Sequence, residues 1–321
     1  MKAGNLSALF CTISILILLV SCSEEYPYRF TQEESTIVIE GCITDAPGPY
    51  FVRVTRSSNY FLFSDQFHRD FQHAKPVNDA IVIIGETEGE EDTLIHSVDS
   101  VPKYYYLHDS VGNITDTVLW DYEIPEKSSI YGFYQTTKIR GVAGKTYFLK
   151  VMADGQSYKA VCSMPSLPSV DSLGFKEIVV KEADGSTAWV PILYFKDPPY
   201  EKNYYLFTIH TYNYGWWIYS ILDDRYIDPL KKGITMDDGF HPNWWRTNYF
   251  VGIYSESECV SVESLTSEGF EYYRNLIQQF NNDGGAYSPS PSSPRSNFNN
   301  GALGLFRASS IHTISGMVPI K

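Results

Sequence analysis

Along most of the chain, hydrophobic residues either alternate with polar ones or run in short β-branched blocks, and both patterns predict strands. Residues 35–44 are rich in Ile, Val and Thr and stop at Asp45-Ala46-Pro47-Gly48-Pro49, a turn; residues 50–55 then alternate as a hairpin partner would. Residues 80–85 form a buried-strand run, residues 93–98 a return strand, and a tyrosine-rich segment to about 128 shows a looser pattern. Tyr147, Leu149 and Val151 share one face of the next strand, and Asp154-Gly155 turns it into residues 157–162. Short strands without helical periodicity over residues 35–165 predict an Ig-like antiparallel β-sandwich. Pro165 and Pro168 stiffen its exit.

Residues 166–321 read as a second β-rich domain, with strands at 175–180, 188–195 and 203–210 and a closing strand at 301–309. One helix is predicted near 266–280. Thr266 or Ser267 can cap it, Glu268 and Glu271 suit its positive end, and Phe270, Tyr273, Leu276, Ile277 and Phe280 fall on one face. The Ser/Pro stretch 288–296 holds no core-forming residue and reads as an extended loop.

The first twenty residues follow neither period. An apolar run over 9–20 is shorter than the roughly 20 residues a membrane-crossing helix needs, and it stops at Leu19-Val20-Ser21-Cys22 followed by Ser23-Glu24-Glu25. This is the pattern of a lipoprotein signal peptide over 1–21, with Cys22 as the residue that receives fatty acyl chains such as palmitate. Each buried methylene contributes about 0.8 kcal/mol, so two or three chains make a stable anchor. Residues 22–34 then read as a lipidated tether, and the acids after Cys22 resemble an export signal to the outer face of an outer membrane. The formal net charge is −13, and removing residues 1–21, whose single charge is Lys2, leaves −14. Such a surface argues against nucleic acid as a partner.

The remaining candidate chemistry is sparse. Cys42, Cys162 and Cys259 lie in the folded part; Cys42 and Cys162 could bridge the first and last strands of the sandwich or stay as buried thiols. His68, Asp70 and His73 lack the spacing of one strand face or helix face, and the acids of 86–92 lack the ligand pattern of a calcium loop, so the latter read as a solvated hairpin tip and no metal or cofactor is expected. The sequence holds no G-x-S-x-G, H-E-x-x-H or P-loop motif. Asp223-Asp224 and Asp237-Asp238 are adjacent carboxylates that point apart on a strand, so no catalytic residue is assigned and no enzyme is expected. In the pairs Trp216-Trp217 and Trp244-Trp245 one ring of each faces outward if the pair lies on a strand. Trp217, Trp244, Asp224 and Asp237 are therefore the candidate ligand or partner contacts.

Several features occur together in a definite order. They are the Cys22 signal, Ile39-Glu40-Gly41 with Pro47-Gly48-Pro49-Tyr50, Gly144-Lys145-Thr146-Tyr147, Met164-Pro165, Val170-Asp171-Ser172, Asn203-Tyr204-Tyr205, and the closing residues 297–306. Together they resemble the Bacteroidetes outer-membrane lipoproteins called domain of unknown function 4249. The resemblance implies an outer-membrane, surface-facing lipoprotein that serves a TonB-dependent β-barrel transporter in nutrient capture. A free-standing adhesin or glycan-binding module is the alternative expectation, and a lipid-anchored hydrolase a more remote one.

Overall fold

The computed structural model describes residues 35–57, 74–97, 101–124, 131–179, 187–196, 201–210, 217–224, 233–235, 257–281 and 294–319. Strands are numbered in chain order. The protein is mainly β, with two sandwiches and one helix among the described residues, and Ser35–Lys321 cluster as one compact unit.

The first sandwich faces two sheets across a common core. In one, β1 (Ile37–Thr44) pairs antiparallel with β2 (Phe51–Arg56), which also pairs with β3 (Lys75–Pro76) and β9 (Phe133–Gln135); β6 (Ile95–His96) lies beyond β9. The other holds β4 (Ile81–Glu86), β5 (Glu91–Thr93), β10 (Thr146–Ala153) and β11 (Gln156–Ser163) in the order β11-β10-β4-β5. Ile37, Ile39 and Ile43 from β1, with Val52 and Val54 from β2, meet Val82, Ile84, Leu149 and Val151 from the facing sheet, and all are buried. For β2 and β10 these are the inward half of the predicted alternation. The β10–β11 turn has both Asp154 and Gly155 in the left-handed region, as a two-residue hairpin requires.

The predicted strands recur closely, but two segments cross the boundary placed at 165. The closing strand β18 (Leu303–Ser309) does not stay with the second half. It pairs in parallel with β1, from Val38 opposite Leu303 to Thr44 opposite Ser309, and puts Phe306 and Ala308 into the first core. In the opposite direction, the tyrosine-rich segment is a long hairpin of β7 (Val101–His108) and β8 (Ile114–Ile124). It joins the second half through β19 (Ile311–Met317), where Leu107 lies opposite Thr313. Its alternation is hidden because aromatics occupy both faces: Tyr105 is buried while Tyr104 is 43% exposed.

The second sandwich takes β14 (Tyr204–His210), β15 (Trp217–Asp223) and β17 (Ser257–Leu265) into the order β15-β14-β17-β19-β7-β8. It faces β12 (Val170–Val179), β13 (Thr187–Phe195) and the short β16 (Ile234–Thr235). Val170, Val190 and Leu193 pack there against Tyr205, Phe207, Ile209, Val260 and Val262. Helix α1 (Ser267–Asn281) is capped by Thr266, whose hydroxyl accepts the Gly269 N–H at 3.2 Å. It sets Phe270 and Tyr273 against Leu206, Leu265, Tyr204 and Ile221.

Polar contacts join the two halves where β18 runs into β19. Asp45, in the turn after β1, accepts the Ile311 N–H at 2.9 Å on its carboxylate. The Ser264 hydroxyl accepts the Ser310 N–H at 2.9 Å and donates to the Pro165 carbonyl at 2.7 Å. His108 Nδ1 accepts the Thr313 N–H at 3.1 Å, and the His108 ring stacks on His312 with centroids 4.8 Å apart. One acid departs from the solvated-tip expectation. Asp92 is buried and accepts the backbone N–H groups of Thr137, Lys138 and Ile139 and the Thr137 hydroxyl. Burial opposes its ionisation, but these four hydrogen bonds outweigh it and hold its carboxyl below the ordinary range.

Gly304 permits the β18–β1 pairing. Its φ is +99°, and a β-carbon there would lie 2.0 Å from the Ile39 carbonyl oxygen. Gly304→Ala is therefore expected to cost about 3 kcal/mol or more, combining left-handed strain with a backbone clash. A urea midpoint for this variant within error of the parent would refute that account.

The stacked histidines predict a pH dependence. Burial, and then the neighbouring His108, push His312 down to about 4, and burial also lowers His108, so the pair is neutral at pH 7. The unfolded chain takes up protons below about pH 6.5, whereas folded His312 resists them until about pH 4. Its contribution is thus full above the unfolded value and is lost as pH falls through that window, by about 3 kcal/mol. His312→Phe should flatten this part of the stability profile, read from urea midpoints at several pH values. Parallel profiles for the two proteins would contradict it.

Candidate functional site

Of the candidate contacts singled out in sequence, Trp217 and Asp224 lie among the described residues. Cys22, Trp244 and Asp237 lie outside the described residues, as do His68, Asp70 and His73. Trp217 opens β15 opposite His210, while Asp224 follows its last residue, so the two stand roughly 20 Å apart along one strand. Asp224 has local work: its carboxylate accepts the Asn203 N–H at 2.7 Å, and its own N–H donates to the Asn203 carbonyl at 3.1 Å. These bonds close the β14–β15 ladder beyond the Tyr204–Asp223 pair.

The two cysteines left open as bridge or thiols are not bridged. Their placement gives the reason. Strand alternation puts Cys42 on the face of β1 opposite Ile39 and Ile43, whereas Cys162 belongs to the sandwich core and its sulfur accepts the Ala308 N–H at 3.3 Å. Burial pushes the Cys42 thiol up to about 12, with Arg307 drawing it partly back, so it is no nucleophile at neutral pH.

A cavity of about 390 Å³ lies where the inter-sandwich linker, the start of β14 and the start of α1 meet. Ser166, Lys202, Asn203, Tyr204, Thr266 and Ser267 are among the residues that line it. The Lys202 ammonium sits 5.2 Å from the centre of the Tyr204 ring. The Thr266 hydroxyl caps the helix, and the Asn203 N–H is held by Asp224, so much of the polar lining maintains the fold. The shape and hydroxyl-rich wall suit a small polar molecule.

Beside this cavity, α1 and β17 meet the outer face of β1 and β18 over a charged pair. Arg307 Nη1 donates to the Glu263 carboxylate and to the Ser309 hydroxyl, the latter at 3.2 Å. Glu263 is buried, and the Arg307 side chain is 18% exposed. Cys42 lies opposite Arg307 in the β1–β18 register. Tyr272 and Tyr273 of α1 close the cluster, and burial raises both phenols, Tyr272 to about 12. Glu263 and Arg307 lie more than forty residues apart, on strands of different sheets. Local pattern carried no sign of their pairing. Among the described residues no group of three or more His, Cys, Asp or Glu could hold a metal ion, and no helix is long and apolar enough to cross a membrane.

Among the described residues, a double β-sandwich with a docked helix and strands exchanged between its halves is thus the class of fold. The family described as Domain of unknown function (DUF4249) matches residues 23–315, and the chain belongs to it. No curated protein and no solved structure matches it.

The Arg307–Glu263 pair ties the two sandwiches together. Glu263→Ala leaves a buried guanidinium without its carboxylate and is expected to cost about 3–5 kcal/mol, read from urea unfolding. The double replacement Glu263→Leu with Arg307→Met should cost less than Glu263→Ala alone. A double variant no more stable than the single one would mean that packing, not the uncompensated charge, sets the loss.

Proposed function

We propose that this protein is a lipoprotein of the outer membrane, held by acyl chains on Cys22 and facing the cell exterior, that serves as accessory subunit of a TonB-dependent β-barrel transporter in nutrient capture. The observation that carries the reading is the apolar run ending at Leu19-Val20-Ser21-Cys22 with acids directly after it. Membership of the DUF4249 family supports it, because the resemblance that leads to that family also leads to transporter-associated lipoproteins. Residues 22–34 reach at most about 45 Å when fully extended, which keeps the folded part within range of a barrel in the same membrane.

A second reading, a free-standing adhesin or glycan-binding module, draws on the cavity between β14 and α1, whose hydroxyl-rich lining suits a sugar-like ligand. A hydrolase using Asp224 and Asp237 is the more remote reading; the Asp224 carboxylate accepts the Asn203 N–H.

Gentle solubilisation of native outer membranes through a C-terminal tag, followed by mass spectrometry, separates the first two readings. Near-equimolar recovery of one large β-barrel, abolished by Cys22→Ala, is the result expected for the accessory subunit. Recovery of the lipoprotein alone, with direct glycan binding by the folded part, would replace that reading with the second.

A further inference from the structure

Strand β8 terminates the six-stranded sheet, and among the described residues no strand pairs with its outer edge. At eleven residues it is the longest strand described. An edge strand of that length presents a row of unpaired N–H and C=O groups, and proteins ordinarily blunt such rows with lysine, proline, short length or a cover. Two other long edges follow that rule: β11 carries Lys159, and its backbone there is bonded to Asn299, and β12 carries Lys176. Strand β8 contains neither lysine nor proline; its register with β7 is irregular and its charges are all acidic.

Its side chains are open as well. Residues 114–117 are all exposed, and Leu119 lies opposite Tyr104 as an apolar cross-strand pair with each residue 43% exposed. At the hairpin tip Val111 is 82% exposed, on a loop ordered by the Asp109 carboxylate, which accepts the N–H groups of Val111 and Asn113. The charge pattern then limits what can pair there. From residue 104 to 124 there is no Lys or Arg, whereas Asp116, Asp121 and Glu123 all lie on β8, Asp121 opposite Lys103 of β7. A second β8 would bring a strand of the same net charge to this edge, which like-charge repulsion disfavours.

We infer that β8 is an acceptor edge for an extended segment of a partner protein that carries Lys or Arg at alternate positions. Backbone hydrogen bonds would add it as a further strand, its cations would meet Asp116 and its neighbours, and its apolar positions would pack on Tyr104 and Leu119. The inference goes beyond the transporter reading and does not depend on it, since any protein presenting such a strand meets the same chemistry.

The test uses the full-length protein in detergent micelles at physiological salt and a fluorescent peptide, Thr-Lys-Val-Lys-Thr-Lys-Val-Lys-Thr, read by anisotropy. The inference expects this probe to bind at least about tenfold more tightly than its counterpart with Glu for Lys, and to lose about tenfold when alternate amides are N-methylated. Hydrogen exchange should slow at residues 114–119 on binding. Asp116→Lys with Leu119→Lys, both at exposed positions, should reverse the preference between the two probes. Equal binding of the acidic probe, or undiminished binding after N-methylation, would overturn the inference, and both are measured on the parent protein.

Discussion

The parallel pairing of β18 with β1 is the contact on which the rest of the architecture depends. It returns the C-terminal part of the chain to the first sheet, and it brings the backbones so close that a β-carbon at residue 304 would overlap the Ile39 carbonyl. Because β19 follows β18 after a single residue, the same pairing sets where the second sheet begins. Strand β17 then pairs along β19, and β7 meets it from the other side. A strand exchanged in this way couples two sandwiches more firmly than a linker can, since separating them requires breaking a sheet.

The junction is polar, and its groups are matched rather than merely close. Asp45 and Ser264 fasten the step between β18 and β19, and Arg307 with Glu263 spans the gap under α1. A buried pair of this kind adds little stability over an apolar replacement, but it penalises any arrangement that leaves one partner alone. It therefore favours one relative placement of the sandwiches. The His108–His312 stack adds a condition on the same seam, because both rings must remain neutral to stay packed.

Much of the fold was legible locally. The patterns of β1, β2, β10 and β11, the Asp154-Gly155 turn and the Thr266-capped helix depend on neighbours within a few residues, and each recurs in the structure. The candidate site was less legible. Asp224 stands just beyond β15, and its hydrogen bond with Asn203 depends on a residue twenty-one positions earlier that no local pattern points to. Asp92, in an acid run that reads as a solvated tip, is buried because a loop more than forty residues onward supplies three N–H groups to it. The open edge of β8 did have a trace in the chain, the absence of Lys and Arg over residues 104–124, but it acquires meaning only once that strand is known to end a sheet.

By itself the sequence determined the β-rich class, the helix at 267–281 and the family, because periodicity, capping and short ordered motifs are written in adjacent residues. Tertiary structure alone decided which strands meet. It sent β18 back to β1 and the tyrosine-rich hairpin across to β19, left Cys42 and Cys162 as separate thiols, and paired Glu263 with Arg307. The physical reason is that a strand's alternation specifies which face is buried but not which neighbour accepts its hydrogen bonds. That choice depends on how all the faces pack at once.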